Sequence, residues 1–141
     1  VVAAPAPEIG WHPVEVARDP QALDWFGASG RVTVFQWHFE AFELPRGAVT
    51  LATSANCPHQ AFAIGAHLAL QFHVEVDADK LERWAGDVDA RLAARHASVQ
   101  TAARMRAGAA SALAAQQRLA DRLFARWWSR AASGTPGCVS R

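Results

Sequence analysis

The sequence is short of charge of one sign, of cysteine and lysine, of tyrosine altogether, and of long apolar runs. Its 141 residues carry 14 Lys and Arg against 13 Asp and Glu, a formal net charge of +1. A protein held to nucleic acid by phosphate neutralisation needs a basic excess, so a nucleic-acid partner is not expected. Lys80 is the only lysine and Tyr is absent; this is a compositional bias to which we attach no function. Two cysteines, Cys57 and Cys138, do not make a disulfide framework, and a reducing cytoplasm is the default expectation. No stretch reaches the roughly 20 apolar residues of a membrane span, so no membrane association is expected. The opening Val1-Val2-Ala3-Ala4-Pro5 has no basic region before an apolar stretch and does not read as a signal peptide. It also starts without Met, as a fragment or processed product would. The last four residues, Cys138-Val139-Ser140-Arg141, are not a prenylation box, because Ser140 and the terminal Arg141 do not fit one.

What is present is a globular composition, 51% hydrophobic and 19% charged. The length suits one domain or one half of a larger one. The chain changes character near Asp77. Before it, short apolar runs are broken by Gly, Pro and Asn; after it, Ala, Leu, Arg and Gln dominate, with little Pro or Gly until Gly134. The expected organisation is strands and loops over 1–77, a helical extension over 78–132 and a tail over 133–141.

Within the first part, 9–16 reads as a strand interrupted at Pro13, and 21–26 as one helical turn after Asp19-Pro20. Residues 31–37 alternate and are rich in Val and Phe, which predicts a strand. A turn at Leu44-Pro45-Arg46-Gly47 precedes a short strand at 48–52. Residues 61–64 and 66–72, joined at Gly65, read as a hairpin whose second strand ends at His73. In the second part, Asp77 is placed to cap a helix whose face is Leu81, Trp84, Ala85, Val88 and Leu92. Ser98 is expected to cap a shorter helix through Met105, with Gly108 breaking it. A third helix is expected over 111–130, with Leu113, Ala120, Leu123, Phe124 and Trp127 as its apolar stripe.

The residues with the clearest chemical content are His73 and Glu75. Residues two apart on a strand share a face, so both side chains can reach one cleft or bond each other. A carboxylate on one imidazole nitrogen fixes the tautomer and supports the imidazolium that forms during proton transfer. Taken on spacing alone, a surface His beside a surface Glu is the more common outcome of this pattern.

The surroundings add weight. Gln71-Phe72-His73-Val74-Glu75 resembles the Q-F-H-x-E signature of class I glutamine amidotransferases. Glu8-Ile9-Gly10-Trp11-His12-Pro13-Val14, Val34-Phe35-Gln36-Trp37-His38-Phe39-Glu40 with its following Leu44-Pro45, and 52–62 around Ser54-Ala55-Asn56-Cys57-Pro58 resemble, in order, segments of the branch related to the glutaminase domain of GMP synthase. The resemblance covers about residues 8–77. It implies an α/β fold: the C-terminal half of a flavodoxin-like glutamine amidotransferase domain with a C-terminal helical extension. It also implies an enzyme, both hydrolase and transferase, in which a Cys thiolate attacks the side-chain amide of glutamine and ammonia passes to an acceptor. His73 would be the general base and then the acid, and Glu75 would orient it. Trp37, His38 and Phe39 would lie against the glutamine. The implied partners are glutamine as substrate, a synthase or acceptor subunit, and the N-terminal half of the domain or a separate chain carrying the Cys. No cofactor or metal is implied. Val74 stands where many members have proline, a change the GMP-synthase-like branch tolerates.

The family nucleophile sits in a Gly-x-Cys-x-Gly elbow. Cys57, between Asn56 and Pro58, and Cys138, between Gly137 and Val139, do not match it. The elbow would lie before Glu8, so this chain alone is expected to be inactive, and a half domain would expose an apolar sheet edge and face. A protease-like use of Cys57 with a nearby His is disfavoured by Pro58, which lacks the N–H that helps form an oxyanion hole. Two alternatives remain at this stage: a non-catalytic interaction module docking through Trp127 and Trp128, and a His-x-Glu metal site completed by a distant His.

Overall fold

A computed structural model describes residues 1–133; the expected tail from Gly134 onward, with Cys138, lies outside them. The elements are β1 (Val2–Val16), α1 (Pro20–Phe26), β2 (Gly30–Ala41), β3 (Val49–Thr53), β4 (Ala61–Ile64), β5 (His67–Leu70), α2 (Ala78–Asp87), α3 (Ala90–Arg95) and α4 (Ala102–Ser133). The five strands form one antiparallel sheet in the order β2-β1-β3-β4-β5. The fold is thus mixed α and β, with a curled antiparallel sheet and a long C-terminal helix.

The long hairpin β1–β2 is the frame of the molecule. Trp11 pairs with Phe35 and Pro13 with Thr33. Contrary to the sequence reading, Pro13 does not interrupt β1. The Trp11 N–H points away from β2, to the Gln100 side chain at 3.1 Å. Two residues on, the Pro13 nitrogen faces the same outer side, so its missing N–H costs no bond to β2. The expected hairpin over β4 and β5 forms, with Ile64 opposite His67.

Pleating sends successive strand residues to different sides. Val34 joins Val14, Trp25, Leu51, Phe72, Leu119 and Leu123 in one buried cluster, and Phe35 joins Ile9, Trp11, Leu81, Val99 and Met105 in a second. Helix α4 runs along both. Asp77 caps α2 as its sequence suggests, its carboxylate accepting the Lys80 N–H at 2.7 Å. The next elements differ from expectation. Ser98 caps no helix: its hydroxyl donates to the Pro7 carbonyl at 2.6 Å. The Ser98 carbonyl accepts the Ile9 N–H, and the Ile9 carbonyl accepts the Gln100 N–H, so 98–100 lies along the free side of β1. The two helices expected over 98–130 are one. Gly108 does not break α4, because a single interior glycine costs only about 1 kcal/mol of helix stability. Its bare Cα is where Trp11 fits; a Cβ there would lie 2.5 Å from Trp11 Cδ1, while Trp11 Nε1–H donates to the Met105 carbonyl at 2.9 Å.

The buried face of α4 is Met105, Ala112, Gln116, Leu119, Ala120 and Leu123. Phe124, expected on the apolar stripe, is exposed, as is Trp128; half-exposed Trp127 lines a shallow apolar groove with Leu68, Leu70, Val74, Leu123 and Phe124. Near its end, α4 is fastened to α1 by Arg126 and Arg130, both paired with Asp24. None of the described helices is long and apolar enough to cross a membrane.

Candidate active site

His73 follows β5 and is held from the backbone outward. Its N–H donates to the Phe35 carbonyl at 2.8 Å, joining the segment after β5 to the outer edge of β2. Its Nδ1 lies 2.8 Å from Glu75 Oε1. Since a carboxylate only accepts, Nδ1 carries the proton and Nε2 is the basic nitrogen. The imidazole is 30% exposed and the Glu75 side chain 46%, so the pair opens to solvent while resting on the fold.

The floor of the pair is aromatic. Trp84 of α2 meets the His73 ring edge-on, centroids 4.8 Å apart. Trp37 packs on Trp84 at 5.2 Å and on Phe35 at 6.4 Å. Lys80, one turn before Trp84 on the same helix, donates to Glu75 Oε1 at 3.2 Å and lies over the Trp84 ring. Burial opposes ionisation of Glu75, but its own backbone N–H, His73 and Lys80 outweigh that and hold its pKa below the usual value. The carboxylate is therefore charged wherever the histidine would need it. Sequence reading gave Trp84 only a packing role and Lys80 none. The signal was their spacing: Lys80 follows Glu75 by one helix-cap length, and Trp84 follows Lys80 by one turn.

The other expected site residues lie close by but play unlike parts. Trp37, His38 and Phe39 line a concavity of about 500 Å³ with Glu40, Phe42 and Gln71, two residues before His73. Phe39 is half-exposed there, and Trp37 belongs to both this wall and the floor under His73. The His38 imidazole faces inward. It is buried, its Nε2 3.2 Å from Glu8 Oε2 and its Nδ1 3.0 Å from the Glu40 carbonyl, so only its backbone is free to meet a ligand.

That contact exposes what the upstream motifs do. Glu8 is 1% exposed, and its carboxylate accepts from Ser54 at 2.9 Å, Gln60 at 2.6 Å and Asn56 at 3.4 Å besides His38. Gln60 in turn accepts from Gln36 at 2.8 Å. Three separated stretches of sequence thus meet on one buried carboxylate, which ties β1, β2 and the β3–β4 loop together behind the concavity. Burial opposes the Glu8 charge; His38 and Ser54 outweigh it and lower its pKa.

Cys57 belongs to that same loop. It is buried, and its thiol donates to the His59 carbonyl at 3.4 Å. Burial pushes its pKa up, aided by the nearby Glu8 charge, the opposite of an activated nucleophile. Among the described residues, no group of three or more His, Cys, Asp and Glu is placed to hold a metal ion.

No family model matches the chain. Two proteins named GMP synthase [glutamine-hydrolyzing], from Helicobacter pylori strains HPAG1 and P12, are 36% and 38% identical to it over 77 residues, 54% of this chain and 15% of theirs. A solved glutamine amidotransferase from Methylobacillus flagellatus superposes with a TM-score of 0.86 at 29% identity, over 92% of this chain and 55% of its own. Another from Thermotoga maritima gives 0.74 at 29% identity, over 89% and 53%. The chain spans 15% of the length of these curated relatives and about half that of the solved neighbours.

Proposed function

We propose, from the premise that this chain carries part of a GMP-synthase-like class I glutamine amidotransferase domain, that it supplies the histidine and the carboxylate of a Cys-His-Glu glutaminase triad. The observation that carries this is the 2.8 Å bond from His73 Nδ1 to Glu75, set within Gln71-Phe72-His73-Val74-Glu75 and open to solvent. The nucleophile would come from the N-terminal half of the domain or a separate chain, since Cys57 is buried, bonded and held protonated and neither it nor Cys138 sits in a Gly-x-Cys-x-Gly elbow.

In the proposed reaction His73 Nε2 takes the proton of the thiol, and the thiolate adds to the side-chain carbonyl of glutamine. The same proton goes to the departing nitrogen, which leaves as ammonia, and a glutamyl thioester remains. His73 then takes a proton from water, whose oxygen displaces the thiol to give glutamate, and the proton returns to sulfur. Glu75 keeps Nδ1–H oriented and offsets the imidazolium charge in both halves. Trp37, backbone groups of His38 and exposed Phe39 would bound the glutamine. Ammonia would pass to an acceptor or synthase component, in keeping with relatives that bear the name GMP synthase.

The test is a glutaminase assay on the assembled amidotransferase carrying His73→Ala or Glu75→Gln. His73→Ala is expected to lower the activity by several orders of magnitude to a residual rate, and Glu75→Gln to lower kcat by roughly 10²–10⁴-fold, because an amide at that place favours the wrong tautomer. Activity that survives His73→Ala unchanged refutes the assignment.

A further inference from the structure

Resting on that triad reading, we infer that Gln116, on the inner face of α4, is a positioning residue for the His73–Glu75 pair. It is 1% exposed and sits in the middle of a long helix, its side-chain partners 40 and 81 residues away. Its Oε1 accepts the Phe35 N–H at 2.8 Å, and its Nε2 reaches the Val76 carbonyl at 3.4 Å. Those two places bracket the pair. Phe35 is the residue whose carbonyl receives the His73 N–H, and its ring packs on Trp84, the ring that stands against the imidazole. Val76 directly follows Glu75. One amide therefore fixes the strand on which the base is hung and the end of the turn that carries its carboxylate.

The choice of side chain supports a directional role. An apolar residue would fill the same space within the second core cluster, which already contains Met105 and Ala112 of the same helix. A glutamine instead offers an acceptor oxygen and a donor NH₂ on one planar group, and here the two reach different flanks of the pair. The β1 side of the hairpin shows the same device: Gln100 accepts the Trp11 N–H and donates to the Trp11 carbonyl at 2.7 Å. Trp11 and Phe35 are cross-strand partners, so the hairpin is held at one rung by two glutamines from outside. On the Phe35 side the rung carries His73.

Gln116 touches neither the substrate concavity nor the imidazole, so its effect must run through the geometry of the pair. In the assembled amidotransferase, Gln116→Leu and the less disruptive Gln116→Met are expected to lower kcat for glutamine by about 10- to 100-fold per folded molecule, the size of loss a misplacement near 1 Å produces. KM should stay nearly constant. The downfield proton resonance of His73 Nδ1–H should shift or broaden. In a His73→Ala background, Gln116→Leu should cost nothing further, because the group it positions is gone. An unchanged kcat per folded molecule in both single variants, or a further loss in the double variant, overturns the inference while leaving the triad reading intact. Full activity in His73→Ala overturns both.

Discussion

Replacing Glu8 with Gln tests whether the upstream motifs work as one buried network. The substitution keeps shape and removes the charge. Glu8 Oε2 receives Gln60 and His38, and Oε1 receives Ser54 and Asn56. If the new amide keeps its oxygen toward Gln60, its NH₂ faces the Ser54 hydroxyl and the Asn56 amide. Ser54 is not free to turn and accept, because its oxygen already takes the N–H groups of Asn56 and Cys57 and the Gln60 amide. One charged bond is lost and at least one donor is left facing another in a dry place. Hydrogen bonds to charged groups and unpaired buried donors each amount to roughly 1–3 kcal/mol, so the expected loss is about 3 kcal/mol at pH 7. The measurement is the urea midpoint at constant m, followed across pH. The folded carboxyl lies below its ordinary value of 4.5, which sets the sign. Its stabilisation is fully present above 4.5 and is lost as pH falls through the depressed folded value. Wild type and Glu8→Gln should therefore stay apart from neutrality down to 4.5 and converge in stronger acid. A loss under about 0.5 kcal/mol at pH 7, or a gap that does not close in acid, would refute the network account.

Gly108→Ala should invert the usual sign for a helix interior. Alanine normally gains about 1 kcal/mol there, but a Cβ 2.5 Å from Trp11 Cδ1 should cost about 1–3 kcal/mol as overpacking, seen as a lower thermal midpoint with a changed tryptophan emission. Cys57→Ser should retain glutaminase activity in the assembled enzyme, and in a Cys138→Ser background the Cys57 thiol should react with a thiol reagent only at the rate of unfolding; loss of activity in Cys57→Ser would return Cys57 to candidacy as the nucleophile.

Local chemistry was well written into the sequence where one residue's partner is near in the chain. Asp77 and the cap of α2, the hairpin around Gly65, and the His73–Glu75 pair are all of this kind, and the structure has each where the sequence suggested. What the sequence concealed were partners far away in the chain. Ser98 reads as a cap until Pro7 claims its hydroxyl, and Gly108 reads as a breaker until Trp11 occupies the space above it. Pro13 reads as an interruption because the direction of a strand's N–H groups depends on pairing that spacing does not reveal. The motif residues Glu8, His38 and Ser54 were visible as a set, but their common centre was not, since a carboxylate in an unremarkable strand gives no sign that it will be buried. Gln116 was legible to no rule: a polar residue on an Ala-rich helix reads as solvent-facing until the helix is laid on the hairpin.

The two glutamines that hold the Trp11–Phe35 rung also set an order of assembly. The β1–β2 hairpin is made of residues near one another and can pair early, but its flanks at Trp11 and Phe35 are closed by segments about 90 and 80 residues downstream. Until the 98–100 segment and α4 have been made and have settled, both flanks present unsatisfied backbone groups in an apolar setting, open to pairing with another chain. Contacts of such separation slow folding. The helix that steadies the histidine is thus also the late-arriving cover that keeps the nascent hairpin from joining its neighbours.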